Sequence, residues 1–137
     1  MRKKEMITCY VSIGSNIDDR LKHINESIQF IKNDSQCIVE SCSPVYRNEP
    51  MYNDKLDYFY NSVIKIKTNR QPMNLLYFLK KIELKHGREI KKTRYCARPI
   101  DLDILTYGQK IIQSEELTIP HQHIKERGFV LKPWSDI

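Results

Sequence analysis

A chain of 137 residues suits one domain and is long enough for a real core. With 40% hydrophobic and 29% charged residues, its composition is that of an ordinary globular protein, which excludes a disordered chain. The formal charge of +6, from 23 Lys and Arg against 17 Asp and Glu, favours anionic partners (nucleotides, nucleic acid or acidic lipid) without choosing among them.

The N-terminal MRKKEM is basic, but the ITCYVSIGS behind it is too short and too polar for a signal peptide. Met6 to Ile13 reads as a first strand, ended by Gly14-Ser15-Asn16. A helix is predicted from about Arg20 to Lys32. Leu21, Ile24, Ile28 and Ile31 form its apolar stripe, and Asp18 or Asp19 serves as N-cap. Gln36 to Ser43 is a second strand, resuming at Val45 and Tyr46 after Pro44. Residues 47–57 are polar and aperiodic and read as a functional loop. In the strand from Tyr58 to Thr68, Val63, Lys65 and Lys67 face one side and Ser62, Ile64 and Ile66 the other.

The second helix starts at Pro72, carries a Leu75, Leu79, Ile82 stripe and stops at Gly87. Residues 88–99 follow as a mobile cationic loop with Arg88, Lys91, Lys92, Arg94 and Arg98. The next strand turns at Gly108 and returns through Lys110 to Ile112. Leu117 to Pro120 leads into His121 and a short helical turn, and Phe129 to Leu131 is a last strand. The order β-α-β-β-α-β-β predicts one α+β domain over residues 1–137. Its antiparallel sheet has helices packed on one face, a ferredoxin-like arrangement with mobile active-site loops. Cys9, Cys37, Cys42 and Cys96 form no C-x-x-C pair or zinc spacing, so two buried and two incidental thiols are expected. No run approaches ~20 apolar residues, so no transmembrane helix is expected, and a reduced cytosolic setting is the default.

RPIDLDIL, residues 98–105, carries the chemistry. As a strand it puts Asp101 and Asp103 on one face, roughly 7 Å apart between Cα atoms. Like charges so placed are solvated surface acids, an acid/base pair or ligands to a hard cation. The upstream arginines and lysines favour the third. Mg²⁺ takes one or two carboxylates and completes its shell with water and phosphate, and Arg grips phosphate with a bidentate fork. Two acids, a metal and surrounding cations are the parts of phosphoryl-transfer chemistry.

Those residues belong to a wider set of blocks: YVSIGSN (10–16), SPVYRNEP (43–50), YFYNSVIKI (58–66), IELKHGRE (82–89), RYCARPIDLDIL (94–105) and LTIPHQHIKERGF (117–129). In this order they resemble the 6-hydroxymethyl-7,8-dihydropterin pyrophosphokinase family. The R-x-x-D-L-D-I-L block together with I-P-H…R-G-F is highly specific. The resemblance implies Mg²⁺-dependent transfer of pyrophosphate from ATP to the pterin alcohol, releasing AMP, in folate biosynthesis. It implies two Mg²⁺ ions held by Asp101 and Asp103, with Arg88 and Arg98 on the phosphates. Glu83, His121 and Arg127 would sit around ATP. Asn61 would hydrogen-bond the pterin, Phe59 and Phe129 would sandwich its ring, and Asn48 lies in the pterin-side loop. The same resemblance implies a ferredoxin-like fold and loops, 47–57 and 88–99, that close over both substrates.

Read alone, Phe59 and Phe129 would be core residues, Asn61 a strand residue and His121 a loop histidine. Glu83 would be a helix-surface acid pairing with Lys80 or another neighbour. The sequence departs from the family pattern at Cys96 (usually Gly), Tyr95 (often Trp), Gln122 (often Tyr) and Glu49, which bears on loop closure. Relatives usually continue past PWSDI, so a short tail or a piece of a longer or fused protein is expected. The expected partners are ATP and the pterin, with neither nucleic acid nor membrane, in a monomer or beside another folate-pathway enzyme. The rival readings are a basic RNA-binding module, another Mg²⁺-dependent phosphotransferase and an inactive family member. An RNA binder would want stacking aromatics on its central strands, and the strand read as central carries Asp101 and Asp103 instead.

Overall fold

The structure, a computed structural model, describes residues 5–49, 58–86, 99–121 and 128–137. The chain forms β1 (Ile7–Ser15), α1 (Arg20–Lys32), β2 (Cys37–Cys42), β3 (Tyr46–Asn48), β4 (Phe59–Thr68), α2 (Pro72–Lys85), β5 (Asp101–Tyr107), β6 (Ile112–Gln113), β7 (Thr118–Ile119) and α3 (Gly128–Ser135). The main sheet runs β2-β4-β1-β5, with β3 also paired to β4, and every pairing is antiparallel. Each helical crossover returns two strands along, with an antiparallel strand between, which is the split βαβ of a ferredoxin-like α+β fold.

Alternation along the strands separates two cores. Val11, Ile13, Ile64, Ile66, Leu102 and Ile104 point to the face covered by α1 and α2. There they meet Ile24 and Ile31 of α1 and Leu75, Leu79 and Ile82 of α2. Asp19 caps α1, its Oδ1 accepting the Lys22 N–H at 3.2 Å. The α1 stripe is narrower than its spacing suggests: Leu21 is exposed, and Ser27 is buried with its hydroxyl returned to the His23 carbonyl.

The opposite face has its own small core. Val63 and Leu105 pack there against Val130 of α3, with Tyr10 and Trp134 stacked at 5.3 Å between ring centroids. Residues 129–131, expected as a strand, are therefore helical, and the helices cover both faces rather than one. Val130, Trp134 and Ile137 recur at i, i+4 and i+7, the helical period that a three-residue apolar run conceals. Leu105 follows Asp101 and Asp103 onto this face by simple alternation, and a register shift between Tyr10 and Val11 then returns Tyr107 to the first core.

Three further expectations change. The return from Gly108 pairs with β7, not with β5, and makes a separate two-stranded sheet. β5 lies at the margin of the main sheet, so the acidic strand is not central. Arg47 and Asn48, expected in the loop, belong to β3. Cys9 and Cys37 are buried and Cys42 is exposed. Burial pushes the Cys9 thiol up to about 12 and that of Cys37 to about 11, which makes both unreactive. Cys96, Tyr95, Gln122, the predicted loop over residues 88–98, most of the 47–57 loop and the short helical turn after His121 lie outside the described residues.

Candidate active site

Register brings the candidate residues together. Gly14 on β1 lies opposite Asn61 on β4 and opposite Asp101 on β5, and Tyr46 continues the row beyond Asn61. In the neighbouring row Ser12 lies between Val63 and Asp103. Asn48 pairs with Phe59, two residues before Asn61. Paired residues share a face, as do residues two apart along a strand. Asn48, Phe59, Asn61, Asp101 and Asp103 therefore all lie on the face opposite α1 and α2, the side of Val63 and α3. Strands about 4.8 Å apart put Asn61 and Asp101 roughly 10 Å from each other across β1.

The middle of that row is bare. A Cβ on Gly14 would stand 2.9 Å from Asn61 Oδ1, so only glycine leaves the amide where it is. Asn61 is buried, and its Nδ2 has no hydrogen-bond partner among the described residues; Asn48 Nδ2 is in the same condition. Two buried amide donors without acceptors are costly unless a ligand supplies them.

The acid pair is half-buried on β5. Glu83, expected around ATP and read alone as a helix-surface acid, is not on the surface: it is buried between α2 and β5, where Oε2 accepts the N–H of Leu102 at 2.9 Å. Leu102 separates the two aspartates. His121 is half-buried and its N–H bonds to the Leu105 carbonyl at 3.0 Å, which draws the chain after β7 onto the same strand. Two hard carboxylates side by side fit a divalent cation that fills its remaining positions with water and phosphate. Among the described residues no group of three or more His, Cys, Asp or Glu could hold a metal without such help. Arg88, Arg98 and Arg127 lie outside the described residues. Phe129 falls in α3, but its side chain is not among those described.

Sequence reasoning missed the rim. The Arg20 guanidinium lies 3.9 Å over the Tyr58 ring, and Arg47 approaches the same ring at 4.0 Å. Arg20 also donates to the carbonyls of Tyr58 and Asn16, each at 3.0 Å. These contacts fasten the turn after β1 to the start of β4, next to Phe59. Gly14 was missed too: Gly14-Ser15-Asn16 looked like the strand's end, yet β1 runs through Ser15.

The sheet, its two-sided packing and the row from Asn61 to Asp101 define a ferredoxin-like α+β domain with paired amides and paired carboxylates on one face. The sequence profile of 7,8-dihydro-6-hydroxymethylpterin-pyrophosphokinase (HPPK) matches residues 10–137, and the chain belongs to that family. It is 36% identical over 132 residues to the 2-amino-4-hydroxy-6-hydroxymethyldihydropteridine pyrophosphokinase of Haemophilus influenzae, covering 96% of this chain and 82% of that protein. It is 43% identical over 128 residues to the folic acid synthesis protein fol1 of Pneumocystis carinii; the match covers 93% of this chain but 17% of that much longer relative. A crystal structure of Plasmodium falciparum HPPK-DHPS with pteroate superposes with a TM-score of 0.77 at 15% identity, covering 99% of this chain and 39% of that one, a likeness of fold. Among the described residues, no helix is long and apolar enough to cross a membrane.

Proposed function

We propose that this chain transfers pyrophosphate from ATP to the hydroxymethyl group of 6-hydroxymethyl-7,8-dihydropterin and releases AMP, a step of folate biosynthesis in the cytosol. The observation that carries the reading is the row Asn61–Gly14–Asp101, which sets unpartnered amides and a carboxylate pair about two strand spacings apart on one face. Asn61 and Asn48 offer N–H donors to the acceptor edge of a flat heterocycle, and Phe59 offers a ring face to it. Asp101 and Asp103 would hold two Mg²⁺ ions, which supply charge neutralisation at the triphosphate. Arg88 and Arg98 would meet the phosphates, and His121 and Arg127 the nucleotide, while Phe129 would close the other face of the pterin.

In this reading the protein positions and neutralises. The hydroxymethyl oxygen attacks the β-phosphorus and AMP departs. The HPPK-DHPS name of the Plasmodium protein supports a setting in which such a domain is joined to another enzyme. The test is to mix the protein with ATP, Mg²⁺ and the pterin alcohol and to identify the nucleotide product. AMP supports the proposal; ADP would identify an ordinary kinase, and neither would leave a binding or inactive domain.

A further inference from the structure

We propose that Glu83 is a positioning residue that sets the two aspartates through the backbone between them, a role that rests on the metal-and-phosphate reading above. Among the described residues β5 has a main-sheet neighbour, β1, along one side only. On such a strand, alternate peptide groups point away from the sheet and need partners elsewhere. The N–H of Leu102 is one of these, and it goes to Glu83 Oε2 at 2.9 Å. Leu102 itself is buried with its side chain in the core under α2, so the peptide is held from two directions.

The location gives this bond its consequence. Asp101 and Asp103 are the residues on either side of Leu102, and their side chains leave the opposite face of the sheet. A rotation of the Leu102 peptide would swing the two carboxylates relative to each other. Two oxygen donors that share small, hard cations tolerate little of that, because Mg²⁺ demands near-ideal octahedral geometry. Glu83 is 6% exposed, turned inward on a helix whose exposed faces carry Lys80 and Lys81. A polar side chain buried at this point is better explained by its acceptor bond to the Leu102 peptide than by helix solubility.

Glutamine keeps a carbonyl acceptor at the same reach, whereas alanine removes it. Three measurements on the whole chain separate the possibilities: thermal melting, amide exchange at Leu102, and binding of Mn²⁺ with a non-hydrolysable ATP analogue followed by electron paramagnetic resonance. In Glu83→Ala, Leu102 should lose its protection, and Mn²⁺ binding with nucleotide should weaken roughly tenfold or more, as for other groups that orient a metal ligand. Glu83→Gln should keep both within about threefold of the unaltered protein on that scale. Equal loss in a folded Glu83→Gln would show that the negative charge itself is required and would overturn the positioning role. So would a folded Glu83→Ala that binds Mn²⁺ normally. Should Glu83→Ala not fold, the glutamine variant alone decides. Asp101→Asn is the control for the underlying reading: if the unaltered protein binds no Mn²⁺ with nucleotide, or Asp101→Asn binds it equally well, the site itself is wrong and this role goes with it.

Discussion

Replacing Gly14 by alanine probes the middle of the site without touching any group that meets a ligand by its own chemistry. The new methyl would lie 2.9 Å from Asn61 Oδ1, while the next atom, the Tyr60 carbonyl oxygen, is 3.9 Å away. The strain therefore falls on one movable amide. Gly14 has no positive φ, so backbone conformation adds nothing. Overpacking of this kind costs about 1–2 kcal/mol in folding when the neighbour can turn aside. Turning aside takes the Asn61 amide off the proposed pterin edge, and one or two neutral hydrogen bonds at about 1 kcal/mol each predict a roughly five- to thirtyfold loss of pterin affinity. The assay is steady-state AMP release with the pterin varied at saturating ATP and Mg²⁺, beside ATP-analogue binding and a melting curve. Asn61→Ala should make Gly14→Ala nearly silent, since the clash then has no partner. Additive losses in the double variant, or weakened nucleotide binding with normal pterin affinity, would refute the reasoning.

Asp101→Asn should lower AMP formation by about a hundredfold or more, from several kcal/mol of lost charge neutralisation. Because the residue is half-buried at a strand margin, the melting temperature should hardly move; a variant that melts early and keeps its turnover would contradict this. Arg70 and Asp34 form a bidentate pair, Nε and Nη2 each 2.9 Å from a carboxylate oxygen, joining the turns before β2 and α2. Arg70→Ala should cost about 2 kcal/mol in urea unfolding, below the range for fully buried pairs. The Arg70 hydrogen bonds hold the Asp34 carboxyl below its ordinary range. That contribution is present above the unfolded value and lost as pH falls through the folded one, so Arg70→Ala should flatten the acid limb of stability.

His86 makes the last prediction. Its Nδ1 is 2.7 Å from His23 Nδ1, and its Nε2 is buried without a partner among the described residues. A proton on that Nε2 would be an unsatisfied donor, so the favoured tautomer donates from His86 Nδ1 to His23. Burial first, then His23, lowers the His86 pKa. As pH drops, the unfolded imidazole takes its proton first. Stability should be full above about 6.5 and decline from there towards the folded value. Urea midpoints between pH 7.5 and 5, compared with His86→Gln, measure it; identical slopes would dismiss the idea.

Much of the fold was legible because single elements announce themselves. The alternation of β4, the Leu75, Leu79, Ile82 stripe of α2 and the Asp19 cap are local patterns, and each was found in place. That Asp101 and Asp103 share a face follows from the strand period alone. What could not be read was relational. Gly14 matters because of its register with residues 47 and 87 positions away, and no local pattern encodes that. Glu83 adjoins an apolar stripe and carries a charge, so sequence favoured a solvent-facing acid; its burial depends on the open N–H of Leu102. The marginal place of β5 lies in the strand order, and the helical state of 128–135 goes with the packing of Val130 against Val63 and Leu105.

The sheet order treats the two ends of the row from Asn61 to Asp101 differently. β4 is bordered by β1 on one side and by β2 and β3 on the other, so Asn61 stands on backbone clamped along both margins. Among the described residues β5 has β1 alone beside it in that sheet, with Glu83 and His121 pinning single points of its outer rim. Under the proposed function, discrimination among ring compounds would fall to a stiff wall, and the polyphosphate would rest on a ledge that can yield without unzipping the rest.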